Sequence, residues 1–156
     1  MKIAALLLII LFCLGCGFGA GTLGGFDERV FPVSKQRLAK AIDSLYKVYP
    51  DYKIPSKWQH LDDWHERGYD FLDSRIFYFK IKPEEMYYIS FIGMPEDSAL
   101  NNRSATIAVR AVCDGTGWSL EENTGWSEKR RIEDRFDREI IAKLEQYTGA
   151  KARREK

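Results

Sequence analysis

Only three cysteines and two histidines occur in 156 residues. That supply excludes a disulfide scaffold and a zinc ribbon, which need several paired or clustered ligands. An excess of charge of one sign is also missing: 24 Lys+Arg stand against 23 Asp+Glu, a formal charge of +1. A near-neutral chain is neither a generally basic nucleic-acid binder nor an acidic tail protein. No Gly-x-Ser-x-Gly elbow and no Walker loop occur. What the chain does hold is apolar surface. Hydrophobic residues make up 45% and aromatics 13%, enough to bury a core and to exclude general disorder. The length favours one domain.

Lys2 is followed by twelve consecutive apolar residues, Ile3 to Leu14, and then by Gly15 and Cys16. A short positive start, an apolar stretch of about 7–15 residues and a small residue before the cut describe a secretory signal. Leu14-Gly15-Cys16 resembles the end of the lipobox of bacterial lipoproteins, with Cys13 at the position that usually holds leucine. The resemblance implies cleavage before Cys16, with residues 1–15 removed as a signal peptide. It also implies a diacylglycerol on the Cys16 sulfur, palmitate among the acyl groups, and hence a lipid bilayer as a partner. Gly17, not aspartate, follows the cysteine, which implies the outer membrane in preference to the inner. The alternatives are ordinary secretion and an uncleaved helix, the latter because the 24 residues from Ile3 to Phe26 carry no charge and are long enough to span. Against the helix, six of the twelve glycines fall between Gly15 and Gly25. Glycine weakens a helix by about 1 kcal/mol relative to alanine, so residues 16–30 are expected to be a flexible tether.

Helix signals begin after Phe31-Pro32. Ser34 is placed as a cap, and Leu38, Ala41, Ile42, Leu45 and Tyr49 recur at spacings of three and four before Pro50 stops the run. Pro55 and Ser56 open a shorter helix with Ser56 and Gln59 at capping-box spacing, Trp58, Leu61 and Trp64 on one side, and Gly68 at its end. Arg75 to Lys82 and Glu85 to Ile92 read as a hairpin turning at Pro83-Glu84. The simplest register pairs Ile81 with Met86 and Phe79 with Tyr88, so Tyr78 and Tyr87 share a face. Both faces are apolar, so the hairpin is expected to be central, with the Trp58–Trp64 segment covering the second face. Ser104 to Cys113 is a third strand, on which Ile107, Val109, Ala111 and Cys113 share one side. Trp118 to Glu122 is a short fourth. Ser127 then caps a long helix with Ile132, Phe136, Ile140, Leu144 and Tyr147 along its stripe and Gly149 at its end. The expected fold is α+β: a three- or four-stranded antiparallel meander packed by N-terminal and C-terminal helices. The domain spans residues 31–149, and the charged residues 150–156 are expected to be a disordered tail.

The chemistry-bearing residues read as structural. His60 and His65 are five apart, about 140° around a helix, so their imidazoles diverge; a metal pair wants a spacing of three or four. No metal and no cofactor is expected. Cys113 alternates with apolar strand residues and reads as a buried thiol. Thr116-Gly117-Trp118-Ser119 recurs as Thr124-Gly125-Trp126-Ser127. Aromatic side chains on such turns can stack on sugars or grip a protein. Trp118 and Trp126, with Tyr78 and Tyr87 of the hairpin, are therefore the candidate binding surface; the alternative, and the favoured one for the repeat, is that Trp118 packs in the sheet and Trp126 is a hydrophobic staple before Ser127. No catalytic residue stands out. The chain reads as a non-catalytic envelope lipoprotein, a tethered binding or assembly module with a protein or cell-wall partner and no nucleic acid. A periplasmic inhibitor or immunity-type protein is the alternative, and an enzyme of unknown chemistry the third reading.

Overall fold

The computed structural model describes residues 24–93 and 103–155. The lipobox-like segment and Cys16 lie outside them. Among the described residues six strands form one sheet: β1 (Glu28–Phe31), β2 (Ser74–Phe79), β3 (Glu85–Ile92), β4 (Ala105–Cys113), β5 (Trp118–Leu120) and β6 (Arg153–Glu155). Their order is β2-β3-β4-β1-β6, with β5 beside the far end of β4, and every pairing is antiparallel. Helix α1 (Lys35–Val48) precedes the hairpin. Helices α2 (Trp126–Phe136) and α3 (Ala142–Thr148) follow β5, joined by a π turn, Asp137–Ile141. The fold is α+β, with helices at both ends of the chain packing one sheet face.

The helical expectations for the two long stripes hold except at the last position of each, where Tyr49 and Tyr147 are exposed. Ser34 Oγ accepts from the Arg37 N–H at 3.2 Å, which satisfies one otherwise orphan amide of the first turn. Leu38, Ala41, Ile42 and Leu45 are buried, and the helix stops before Pro50. Ile132, Phe136, Ile140 and Leu144 face the same core, and Gly149 closes α3 in the left-handed conformation. Gly125, not Ser127, is the N-cap of α2, and its carbonyl accepts from the Lys129 N–H at 2.8 Å.

Several expectations are corrected. Residues 28–30 belong to a strand, not to the tether: β1 pairs with β4, and the Phe26 N–H already donates to the Val109 carbonyl at 3.0 Å. Residues 153–155 are a strand, not a disordered tail, paired with β1. Ladder hydrogen bonds and ion pairs hold β6, where no apolar pattern exists to announce it. The sheet thus gains two strands beyond the expected meander.

The hairpin register also differs. Phe79 pairs with Glu85, Phe77 with Tyr87 and Ile76 with Tyr88, so five residues, 80–84, connect the strands. Glu85 sets this register. It is buried among ion partners, taking bonds from Arg131 and Arg135, and Arg135 also donates to the Pro83 and Ile81 carbonyls. Because strand side chains alternate, the shift changes partners across the faces. Phe77, Phe79, Tyr87 and Ile89 face the helices, while Ile76, Tyr78, Met86 and Tyr88 face away. A bulge adds Arg110 to β4 opposite Tyr88 and Ile89. It breaks the alternation expected along β4: Ile107 and Val109 face the helices, whereas Ala111 and Cys113 face the other side.

That second face is covered as expected. The chain between α1 and β2 forms short 3-10 turns, Pro50–Tyr52 and Ser56–Leu61, instead of a second α-helix, and Ser56 makes no capping bond. Trp58 packs edge-on to Tyr78, and Trp64 lies on Tyr88. The sheet is therefore sandwiched between helices on one side and an aromatic, mostly irregular segment on the other.

Candidate functional site: an aromatic cleft on the second sheet face

The covering is incomplete. Between the 53–72 segment and the start of β2 lies a cleft of about 870 Å³. Tyr88 and Trp64 lie at its base. Their rings are stacked, with centroids 4.0 Å apart and planes 14° apart. Tyr69 and Trp118 meet Trp64 edge-on, at 5.4 and 5.1 Å. Trp118 is fixed in turn by its indole N–H, which donates to the Leu61 carbonyl at 2.7 Å. Tyr46 enters from α1, stacks on Phe77 and donates to the Ile76 carbonyl at 2.7 Å. Asp62, His65 and Asp70 line one side of the cleft, and Lys53, Arg75 and Gln59 also line it.

Three buried side-chain atoms among the described residues have no partner: Asp63 Oδ1, and Trp64 Nε1 and Tyr88 Oη on two residues that line the cleft. Tyr88 Oη and Trp64 Nε1 are buried, and neither makes a hydrogen bond within the described residues. Tyr88 is 1% exposed and Trp64 5%. Such groups are rare, because an unmet buried polar atom costs about 1–3 kcal/mol. Burial pushes the Tyr88 phenol up, and the Ser74 hydroxyl, near enough to act on it as a hydrogen-bond partner but outside hydrogen-bond geometry, works the other way. Asp62 is held above the usual carboxylate range by desolvation and by its neighbour Asp63. Asp63 is held below it, chiefly by the Arg67 guanidinium 2.8 Å away.

The residues nominated from sequence are distributed otherwise. Tyr87 is fully buried under the helices and donates to Glu85 Oε2 at 3.1 Å, and burial raises its phenol further. Tyr78 is 6% exposed and donates to Glu84. Neither offers a surface, because the observed register turns both rings into packed layers. Trp118 is half-buried and packs against the sheet, as the structural alternative for it expected, and not as an outward binding side chain. Trp126 is 76% exposed at the first turn of α2, where Arg130 lies 5.8 Å over its ring; it packs as no staple. The repeated TGWS motif therefore has two unlike roles, and its members do not meet.

His60 and His65 are exposed, and His65 Nδ1 stands 3.9 Å from Asp70. Among the described residues no three His, Cys, Asp or Glu side chains gather as metal ligands. Cys113 is buried, with its thiol raised by burial, and its sulfur accepts from the Gly115 N–H at 3.4 Å. A raised, enclosed thiol is a poor nucleophile. Tyr88, Trp64, Tyr69 and Asp62 were not nominated from sequence. Their signal was faint: an aromatic-and-acid mixture, Asp62 to Asp70, that reads equally well as core with a solvated rim.

Compared with known proteins, the chain matches no family model, no curated protein and no solved structure. Among the described residues no helix is long and apolar enough to cross a membrane.

Proposed function

We propose that this chain is a non-catalytic lipoprotein of the bacterial cell envelope, anchored through an acylated Cys16. It faces the periplasm, with the outer membrane the preferred site. It works as a tethered binding module, and the aromatic cleft is its binding site. One observation carries the cleft reading: the stacked Trp64 and Tyr88 leave an indole N–H and a phenol oxygen buried without partners at the base of a ligand-sized opening. A folded domain rarely tolerates two such groups side by side unless something else meets them. The anchor rests on Leu14-Gly15-Cys16 and the glycine-rich stretch behind it.

The two halves of this reading are tested separately. Metabolic labelling with palmitate should mark the wild type, and Cys16→Ala should lose the label and remain at precursor size. An unlabelled wild type that fractionates like the variant would remove the anchor. Crosslinking in intact envelopes, from photoreactive residues at positions 69 and 126, should capture a partner from the cleft position only. Capture from position 126 alone would move the binding site to the α2 end of the domain.

A further inference from the structure

We infer that the cleft binds an uncharged saccharide, with a ring hydroxyl or acetamido oxygen set against Trp64 Nε1 and Tyr88 Oη. This inference rests on the cleft being the binding site and narrows its ligand. The first argument is the chemistry of the two unpaired atoms. An indole N–H only donates, so the base of the cleft needs an acceptor, which an ammonium or metal cation cannot supply. A phenol oxygen donates or accepts. A sugar hydroxyl, which does both, meets either atom.

The second argument is charge. Asp62 and Asp70 face the cleft together with Lys53 and Arg75. An anion meets two carboxylates there, and a cation meets an ammonium and a guanidinium. A neutral polyol finds acceptors in the first pair and donors in the second, with Gln59 supplying both. The third argument is the rim. Tyr69 lines the cleft, and Phe71 lies next to it at a centroid distance of 6.3 Å, 73% exposed. An aromatic face left in water beside a polar cleft suits the C–H face of a sugar ring, which is apolar while its edge is not. The volume, about 870 Å³, lies within the range of small-molecule sites and takes a short oligosaccharide.

Both unpaired atoms are closed to water. Binding therefore requires side chains of the 62–73 segment to part. That segment is made of turns held by local bonds, such as Gly68 N–H to the His65 carbonyl, and not by a ladder. Segments of this kind open at low cost.

The test uses the full chain in a zwitterionic, sugar-free detergent. It is titrated by calorimetry and by tryptophan fluorescence with chitotetraose and with maltotetraose, and with spermidine and citrate as charged controls. Saturable submillimolar binding of at least one saccharide is expected, with quenched or shifted tryptophan emission. Tyr88→Phe and Asp62→Asn should each weaken it about tenfold, the equivalent of one hydrogen bond. Trp126→Ala, outside the cleft, should leave it unchanged. Failure of both saccharides to saturate overturns the inference, as does saccharide binding that neither cleft variant weakens. Spermidine or citrate binding that Tyr88→Phe weakens, without saccharide binding, overturns the saccharide and keeps the cleft as the binding site. The tethered-module reading itself stands or falls on the crosslinking experiment.

Discussion

The Trp64 indole lies flat on the Tyr88 ring at 4.0 Å, and the polar ends of both are buried without partners. The stack stabilises the second core through apolar contact and dispersion, while each polar end works against it. Removing the Tyr88 hydroxyl keeps the ring and removes one unmet group. Tyr88→Phe should therefore leave the ligand-free protein as stable as wild type or more so, by up to about 1 kcal/mol in a urea melt. A loss of that size instead would mean that the hydroxyl is bonded in the folded state, with Ser74 as its partner, and the cleft would lose one of its two unpaired groups.

Trp118 and Trp126 occupy matching positions in the repeated motif but have different surroundings. Trp118 contacts Trp64 and Tyr88 and donates to Leu61, whereas Trp126 is 76% exposed. Trp118→Ala should cost roughly 2–3 kcal/mol, below the range for a fully buried tryptophan because this one is half-covered. Trp126→Ala should change stability by less than about 0.5 kcal/mol, as surface substitutions do. Paired thermal melts decide the matter, and equal losses would contradict the packing described.

Much of the fold was legible because burial writes periodicity into sequence. The α1 stripe and the Ile132–Leu144 stripe repeat every three or four residues and became the helical layer. The boundary strands were not legible for the converse reason. β6 is Arg-Arg-Glu, exposed throughout, and its order comes from pairing with β1 and from ion pairs, of which Arg154–Asp27 links residues more than a hundred positions apart. The hairpin register differs at its turn: Lys80 to Lys82 read as strand and Pro83-Glu84 as the whole turn, whereas β2 ends at Phe79, and only the distant partners Arg131 and Arg135 make Glu85, opposite Phe79, a buried anchor. The bulge at Arg110 left no local mark. The cleft was illegible as a site because Trp64 and Tyr88 carry the same pattern as core aromatics. What distinguishes them is the missing partner, which only three dimensions reveal.

Arg29 offers a sharper test of buried charge. Its guanidinium, 1% exposed on β1, forms a two-pronged bond to Asp137 at 2.5 and 2.9 Å and donates to the Asp27 carbonyl. Asp137 opens the π turn between α2 and α3, so the pair ties β1, between β4 and β6, to the helix where its winding changes. Breaking a buried pair from one side leaves the other charge uncompensated, which costs about 3–5 kcal/mol in full burial. Asp137 is 37% exposed, so Asp137→Ala should cost less, roughly 2–3 kcal/mol. Arg29→Met removes the buried charge itself and should cost under about 1 kcal/mol. Urea melts that put the methionine variant below the alanine variant would show that the pair contributes through its geometry and not through avoided desolvation.

The last expectation concerns acid. Burial alone would raise the Asp27 carboxyl, but the Arg154 guanidinium at 2.9 Å, with Lys129 and Arg29 nearby, outweighs it and holds the group below its ordinary 3.8. Glu145 follows the same pattern: burial raises it, and Lys151 and the Ala152 N–H more than offset this, holding it below 4.5. Both carboxylates tether the β6 end of the chain. A carboxyl whose folded value is depressed binds fewer protons folded than unfolded, so its contribution is present above the unfolded value and is lost as pH falls through the folded one. Stability should therefore be nearly flat from about pH 7 to 5 and fall below about pH 4. Hydrogen exchange should show the β6 amides losing protection before those of β3 and β4, since β6 relies on these pairs and the central strands on buried side chains. Asp27→Asn should remove part of the acid slope and lower stability at neutral pH by under about 1 kcal/mol, because the Arg154 side chain is 41% exposed and the pair is partly screened. Identical melts at about pH 3 and pH 7, or an unchanged slope in Asp27→Asn, would mean that pairing along β1, and not these carboxylates, holds the terminal strand.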